Sequence, residues 1–317
     1  MINAQILIFL SYFIAFFSAL LIVAIGDIFS ERSGIVNIGL EAIMAFSVMI
    51  GLMTLKFLLP IFPGFLTVLL TVLSAMLSGM LFSLLIAVPS IKCGANQTLV
   101  GNATNMLSYA ITIVLTKRMS EFSTSVINFN KNAFMFKIGS FMFSIFTIIG
   151  FFVLILGWFV LYYTKFGFRL RSCGENPVAA FNSGINVIKY RYIGVLISGL
   201  LAGIGGLAYI IPTGSYWDAS NSVYGFGFLA ISVVIFGFWR PYRVALAALF
   251  FSFFIAFSYC YEGIFLDLFG VELNKNLYVT NELFKLIPYL LCLIVLVFVS
   301  KKNVRPKSLG KPYIQIR

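Results

Sequence analysis

Seven stretches of this chain carry no charged side chain at all: residues 1–26, 57–91, 93–116, 138–164, 192–217, 219–239 and 244–261. Most of them reach the roughly 20 residues that a helix needs to cross a hydrocarbon core of about 30 Å. The runs therefore predict an all-α polytopic membrane protein. Composition agrees: 61% of residues are hydrophobic and 10% charged, against about half and a quarter in soluble chains. The first run has no basic segment ahead of it and no small-residue cleavage site, so it is expected to be a retained span rather than a signal peptide.

About nine spans are expected, near 6–25, 34–55, 65–88, 96–116, 138–163, 191–212, 219–237, 243–262 and 285–300. They make 1–317 a single transmembrane domain with a loop at 164–191 and a basic tail at 301–317. The loop has Lys165, Arg169, Arg171, Lys189 and Arg191 against the single Glu175, which marks it as cytoplasmic. Alternating outwards from it puts 15 of the 22 Lys and Arg residues inside, with the carboxyl tail cytoplasmic and the amino terminus external. The loop holding Lys117, Arg118, Lys131 and Lys137 runs against this scheme, with only Glu121 to offset them. A net charge of +12 would suggest nucleic acid in a soluble chain; here the basic residues sit at span ends and in the tail, so the bilayer is the partner they imply.

The loop reads TKFGFRLRSCGENPVAAFNSGINVIKYR. Asn176 can cap orphan amides, Pro177 suits the first helical position, Ala179 and Ala180 favour continuation, and Gly184 would stop the helix. A short surface helix from Pro177 to about Ser183 is expected, with Glu175 at its amino-terminal end. On residues alone the first reading is a capped turn in an ordinary inter-helix loop.

Polar residues inside the spans are the other candidates. Glu41 is read as the one acid well inside an apolar span, with Asn37 four residues earlier on the same helix face and Gly34 and Gly39 able to permit a break. Asn102 and Asn105 are three apart, and Tyr109 follows four later. Amides with a Tyr offer donors, acceptors and a stacking face to a neutral polar solute. Both groups are equally read as interhelical hydrogen bonds. In YIGVLISGLLAGIGGLA, Ser198, Ala202 and Gly206 form one row of small residues and Gly199 with Gly203 another, a pattern for close helix packing.

The four cysteines show no close spacing, there is no His, and no phosphate-loop pattern occurs: Gly310-Lys311 runs into Pro312 without an upstream Gly. Hydrolytic and metal chemistry are disfavoured, and energy must come from a partner or a gradient. An ion-coupled carrier would bury several ionisable groups along a relay, whereas Glu41 stands alone here.

GENPVAAFNSGINV, ERSGIVNIGLEAIMAF (Glu31 to Phe46) and GFGFLAISVVIFGFWRP (Gly225 to Pro241) fall in order along the chain. Together they resemble the permeases of ABC importers in the sugar, nucleoside and branched-chain amino-acid group, and the second stretch is similar to nucleoside-type members. The resemblance implies that Gly174, Glu175, Asn176, Pro177, Ala179, Ala180, Gly184 and Ile185 form a coupling helix docked on an ATP-binding subunit. Replacing Ala180 by Arg would then break the docking. It also implies that the segment around Asn37 and Glu41 borders the translocation pathway. The expected partners are that ATPase, which would carry ATP and Mg, a second homologous permease and an extracytoplasmic solute-binding lipoprotein, in a cytoplasmic membrane. Many members of the group have ten spans and a cytoplasmic amino terminus, so lacking the first would place this amino terminus outside.

Overall fold

The computed structural model describes residues 2–269 apart from 63, 120–123, 139–140 and 222, together with 286, 290, 293–294 and 305–313. The expected ninth span at 285–300 lies almost wholly outside the described residues, as does the expected 262–285 loop from 270 onwards, whereas residues 262–269 of that loop continue the helix of the span before it. Eight segments within them are long and apolar enough to cross a membrane. The helices are α1 (Ile2–Ser33), α2 (Leu40–Leu58), α3 (Phe65–Ala87), α4 (Gln97–Met119), α5 (Ile145–Tyr163), α6 (Lys165–Glu175), α7 (Pro177–Asn182), α8 (Val187–Thr213), α9 (Phe226–Phe236) and α10 (Pro241–Phe269).

Helix α8 is the centre of the packing, against α1, α2 and α3. A Cβ on Gly199 would meet Ser83 and the Gly79 carbonyl, one on Gly203 the Ala75 carbonyl, and one on Gly206 the Met44 carbonyl and Val48. Ser198 and Ala202 are fully buried in the same contacts. Lipid is as apolar as any side chain, so close backbone approach of this kind is what holds membrane helices together. Helix α4 inverts the pattern of a soluble helix. Its buried residues are Gln97, Gly101, Thr104, Ser108, Thr112 and Thr116, while Leu99, Met106 and Val114 point outwards.

Four sequence expectations change. The span at 138–163 begins only at Ile145, because the strands Met135–Ile138 and Phe141–Ser144 pair as a hairpin and the Ser144 hydroxyl caps α5 by accepting from the Phe146 amide at 3.2 Å. A second ladder pairs Val126–Asn128 with Tyr216–Asp218, so the fold is helical with two small antiparallel ribbons. The span at 34–55 is helical only from Leu40, and residues 34–39 are irregular. The run Ala219–Phe236 qualifies as a span by length and hydropathy. Its α-helix nevertheless starts after Gly225, in the left-handed conformation at φ 78°, and α9 has 11 residues. At 1.5 Å per residue that is about 16 Å, half of the hydrocarbon core.

Candidate functional site

The two broken elements meet. Helix α8 serves as a ruler for the depth: Asn37 donates from Nδ2 to Ser198 Oγ at 2.9 Å, and Gly206 sits against the Met44 carbonyl. Glu41 therefore lies between the levels of Ser198 and Gly206, roughly 16 to 28 Å along α8 from its start. There its Oε1 accepts from the Gly225 amide and its Oε2 from the Gly227 amide, both at 2.8 Å. A carboxylate bridging two orphan amides is favourable at the amino end of a helix dipole. Gly227 is needed for the approach, since a Cβ there would meet the Glu41 backbone.

Irregular backbone at membrane depth persists only where protein or a cavity satisfies it. For 34–42 the partners come mostly from α4. Gln97 accepts from the Val36 amide at 2.7 Å. Asn105 accepts from the Ala42 amide at 3.0 Å and donates to the Ile38 carbonyl at 3.3 Å, and Ser108 donates to the Ala42 carbonyl at 2.8 Å. Of the polar candidates the structure thus brings together Asn37, Glu41 and Asn105. Asn102 and Tyr109 are exposed on α4 and do not reach them. The Asn37 Oδ1 is buried with no hydrogen-bond partner among the described residues.

Glu41 is not the one buried acid. Nothing stops α1 before Gly34 (φ 101°), so the helix carries Asp27 and Glu31 inside with it, 0% and 2% exposed. Neither Asp27 oxygen has a partner among the described residues, whereas Glu31 accepts from Trp239 Nε1. Arg32 donates from Nη2 and Nε to the Trp239 carbonyl at 3.2 and 3.3 Å, and its Nη1 lies 3.5 Å from Glu175 Oε1. Trp239 follows α9 with φ 57°, a strained conformation for a bulky residue. Segment 31–41 therefore holds α9 at both ends and also touches the end of α6. Glu31 and Asp27, four apart and within seven residues of Gly34, were the available signal for this arrangement. The Glu31 partner, 208 residues away, could not be read from sequence.

After α6, Asn176 Oδ1 accepts from the Ala179 amide at 3.1 Å, Pro177 opens α7, and Gly184 (φ 79°) ends it, its amide donating to Phe181 and that of Ile185 to Ala180. Glu175 closes α6 and pairs with Arg32 rather than serving α7. Gly174 packs so tightly on the Arg32 carbonyl that no side chain fits. Ala180 faces inward, 4% exposed, against Cys173, Val187 and Tyr313, while Val178 and Phe181 are the exposed apolar residues of α7. An arginine at 180 would therefore disrupt the seat of α7 itself. Burial pushes the Cys173 thiol up to about 11 although Arg191 opposes it. The tail closes over this face. The Ser308 amide donates to the Gly174 carbonyl at 2.9 Å, the Gly310 amide to Gly34 at 3.2 Å, and Arg191 Nη1 to the Lys311 carbonyl at 3.3 Å.

A family model described as a branched-chain amino acid transport system permease component matches residues 9–296. The guanosine ABC transporter permease protein NupQ of Bacillus subtilis is 35% identical over 310 residues, 93% of each chain. The nucleoside ABC transporter permease protein NupC of Lactococcus lactis is 33% identical over 311 residues, again 93% of each. An uncharacterized protein of Mycoplasma genitalium, MG121, is 30% identical over 310 residues, 95% of each. No solved structure gives a significant match. Matched over nearly its whole length, and with several apolar helices of spanning length, the chain belongs to the branched-chain amino acid transport system permease family.

Proposed function

We propose that this chain is the membrane-spanning permease subunit of an ABC importer that carries a nucleoside, a purine nucleoside first of all, across the cytoplasmic membrane. The names of the two relatives matched over 93% of their length support the solute class. The observation that carries the mechanism is the chain of contacts from the end of α6, two residues before α7, to α9 through Glu175, Arg32, Trp239 and Glu31. ATP and Mg bind on a separate subunit, and α7 docks on it by Val178 and Phe181. Closure of that subunit pushes the α6–α7 loop against the end of α1. Because segment 31–41 grips α9 at both ends, the push shifts the half-helix at mid-membrane, where the solute passes. A second permease and an extracytoplasmic binding lipoprotein complete the assembly. The face bearing α7 and the tail is cytoplasmic, and the amino terminus is external.

The test is uptake of tritiated guanosine by the assembled transporter in proteoliposomes. Uptake that needs ATP and is competed by purine nucleosides but not by ribose is expected. ATP-driven uptake of ribose without guanosine would make the solute a sugar, and uptake driven by an ion gradient alone would make the chain a secondary carrier.

A further inference from the structure

The end of α8 remote from α7 carries a concavity that no step above uses. Its volume is about 180 Å³, and Tyr209, Tyr216, Trp217, Asp218, Tyr224 and Tyr259 line it. We infer that it is an outer subsite for the ring system of a nucleoside, an inference that rests on the nucleoside reading above.

Three of these rings offer faces: Tyr216, Tyr224 and Tyr259 are 63%, 54% and 46% exposed. Planar bases stack on such rings whatever their substituents. Asp218 supplies the polar contact. Its Oδ1 accepts from Ser125 Oγ at 2.7 Å and from the Ser220 amide at 2.9 Å. Burial raises the pKa of this carboxyl, but the hydrogen bonds outweigh it and hold the group below the usual carboxylate range. It is an ionised acceptor for ribose hydroxyls at neutral pH. Rings that merely anchor a helix at the lipid interface would sit on a convex surface, whereas these line a hollow around a carboxylate, which a lipid tail does not solvate.

The site is also rigidly placed. The ladder between Val126–Asn128 and Tyr216–Asp218 fixes one wall, and Tyr209 stacks on Phe226 at 4.3 Å, with its hydroxyl 3.3 Å from that of Tyr259. Tyr224 is held at φ 55° directly before Gly225, whose amide binds Glu41. Backbone held in a rare conformation at a ligand clamp is a recurrent use of strain. The hollow is thus joined by one peptide to the mid-membrane joint, as a mouth would be. A complete small-molecule pocket spans roughly 300–1,000 Å³, so this one takes a base or a ribose and not the whole solute.

The experiment is photolabelling of the assembled, nanodisc-held transporter with 8-azidoguanosine, with peptide mapping of this chain, alongside tritiated guanosine uptake. Adducts within 209–224 or at Tyr259 are expected in the wild type. Tyr216→Ala and Asp218→Asn are expected to lower both labelling and uptake roughly tenfold, the loss of one stacking or charged contact. Tyr216→Phe keeps the face and stays near wild type, and the variants still co-purify with the ATP-binding subunit. If the wild type transports guanosine while adducts fall elsewhere and the variants transport normally, the subsite is overturned and the nucleoside reading stands. If the wild type transports no nucleoside, both fall.

Discussion

At its start α9 is held by Glu41 through two backbone amides, whereas at its exit it is held by Glu31 and Arg32 through one tryptophan. The first joint is built from a carboxylate and main chain, at mid-depth along α8, with Gly225 in the left-handed conformation and Gly227 where a Cβ would meet the Glu41 backbone. It changes only if the backbone moves. The second joins the Trp239 indole to Glu31 and the Trp239 carbonyl to Arg32, and it shares Arg32 with Glu175, which is 45% exposed at the surface where α7 sits. Under the proposed function the difference assigns roles: a fixed pivot at mid-depth and a responsive joint at the face proposed to meet the ATP-binding subunit.

Breaking the pivot should have the largest effect. Glu41→Ala leaves two amides unsatisfied in the membrane interior, at about 3 kcal/mol or more, and ATP-driven uptake is expected to fall to background. Glu41→Gln keeps the shape but turns an amide donor towards one of the two N–H groups, so the subunits still assemble and transport is impaired. Wild-type uptake by the glutamine variant would reduce Glu41 to a packing residue.

The responsive joint should break more selectively. Trp239→Phe keeps an aromatic ring and removes the donor to Glu31, a loss of about 1–3 kcal/mol for a buried acceptor left unpaired. Uptake is expected to drop about tenfold while ATP hydrolysis and co-purification persist. Normal coupling in this variant would separate α9 from the motor. Next comes the proposed docking face. Phe181→Ala is expected to weaken co-purification with the ATP-binding subunit without disturbing the fold, since Phe181 is exposed, whereas Ala180→Arg destabilises the seat of α7 and lowers the yield of the chain itself. Glu175→Gln should have the smallest effect. A partly exposed ion pair at 3.5 Å is worth at most about 1 kcal/mol. Uptake should fall about twofold, and added salt should erase the difference from wild type.

The fold was legible where it depends on hydropathy. Charge-free runs marked the positions of seven of the eight spans, and Asn176, Pro177 and Gly184 gave α7 almost to the residue, because caps and stops act locally. The site was legible in part. Glu41 and Asn37 stood out as polar groups in apolar surroundings, and the small-residue rows of α8 marked its packing. What sequence reading lost were the interruptions: Gly34 and Gly225 sit in runs whose hydropathy continues through them, so a whole-helix reading of 34–55 and 219–237 was natural. Asn105 and Asn102 looked alike on spacing, yet only Asn105 reaches the broken backbone of 38–42. Asp27 was placed beyond the first span because a charge ended the run, although the helix did not end.

The most direct test of the central claim is whether α9 moves with the motor through Trp239. Spin labels at Phe228 on α9 and Leu156 on α5, both exposed positions, would report the distance between these helices in the assembled transporter by pulsed electron paramagnetic resonance. Trapping the ATP-binding subunits closed is expected to shift that distance in the wild type and to shift it clearly less in Trp239→Phe, which still hydrolyses ATP and in which Arg32 alone still holds the carbonyl of residue 239. A distance that does not respond to trapping in the wild type, or that shifts equally in the variant, would contradict the account.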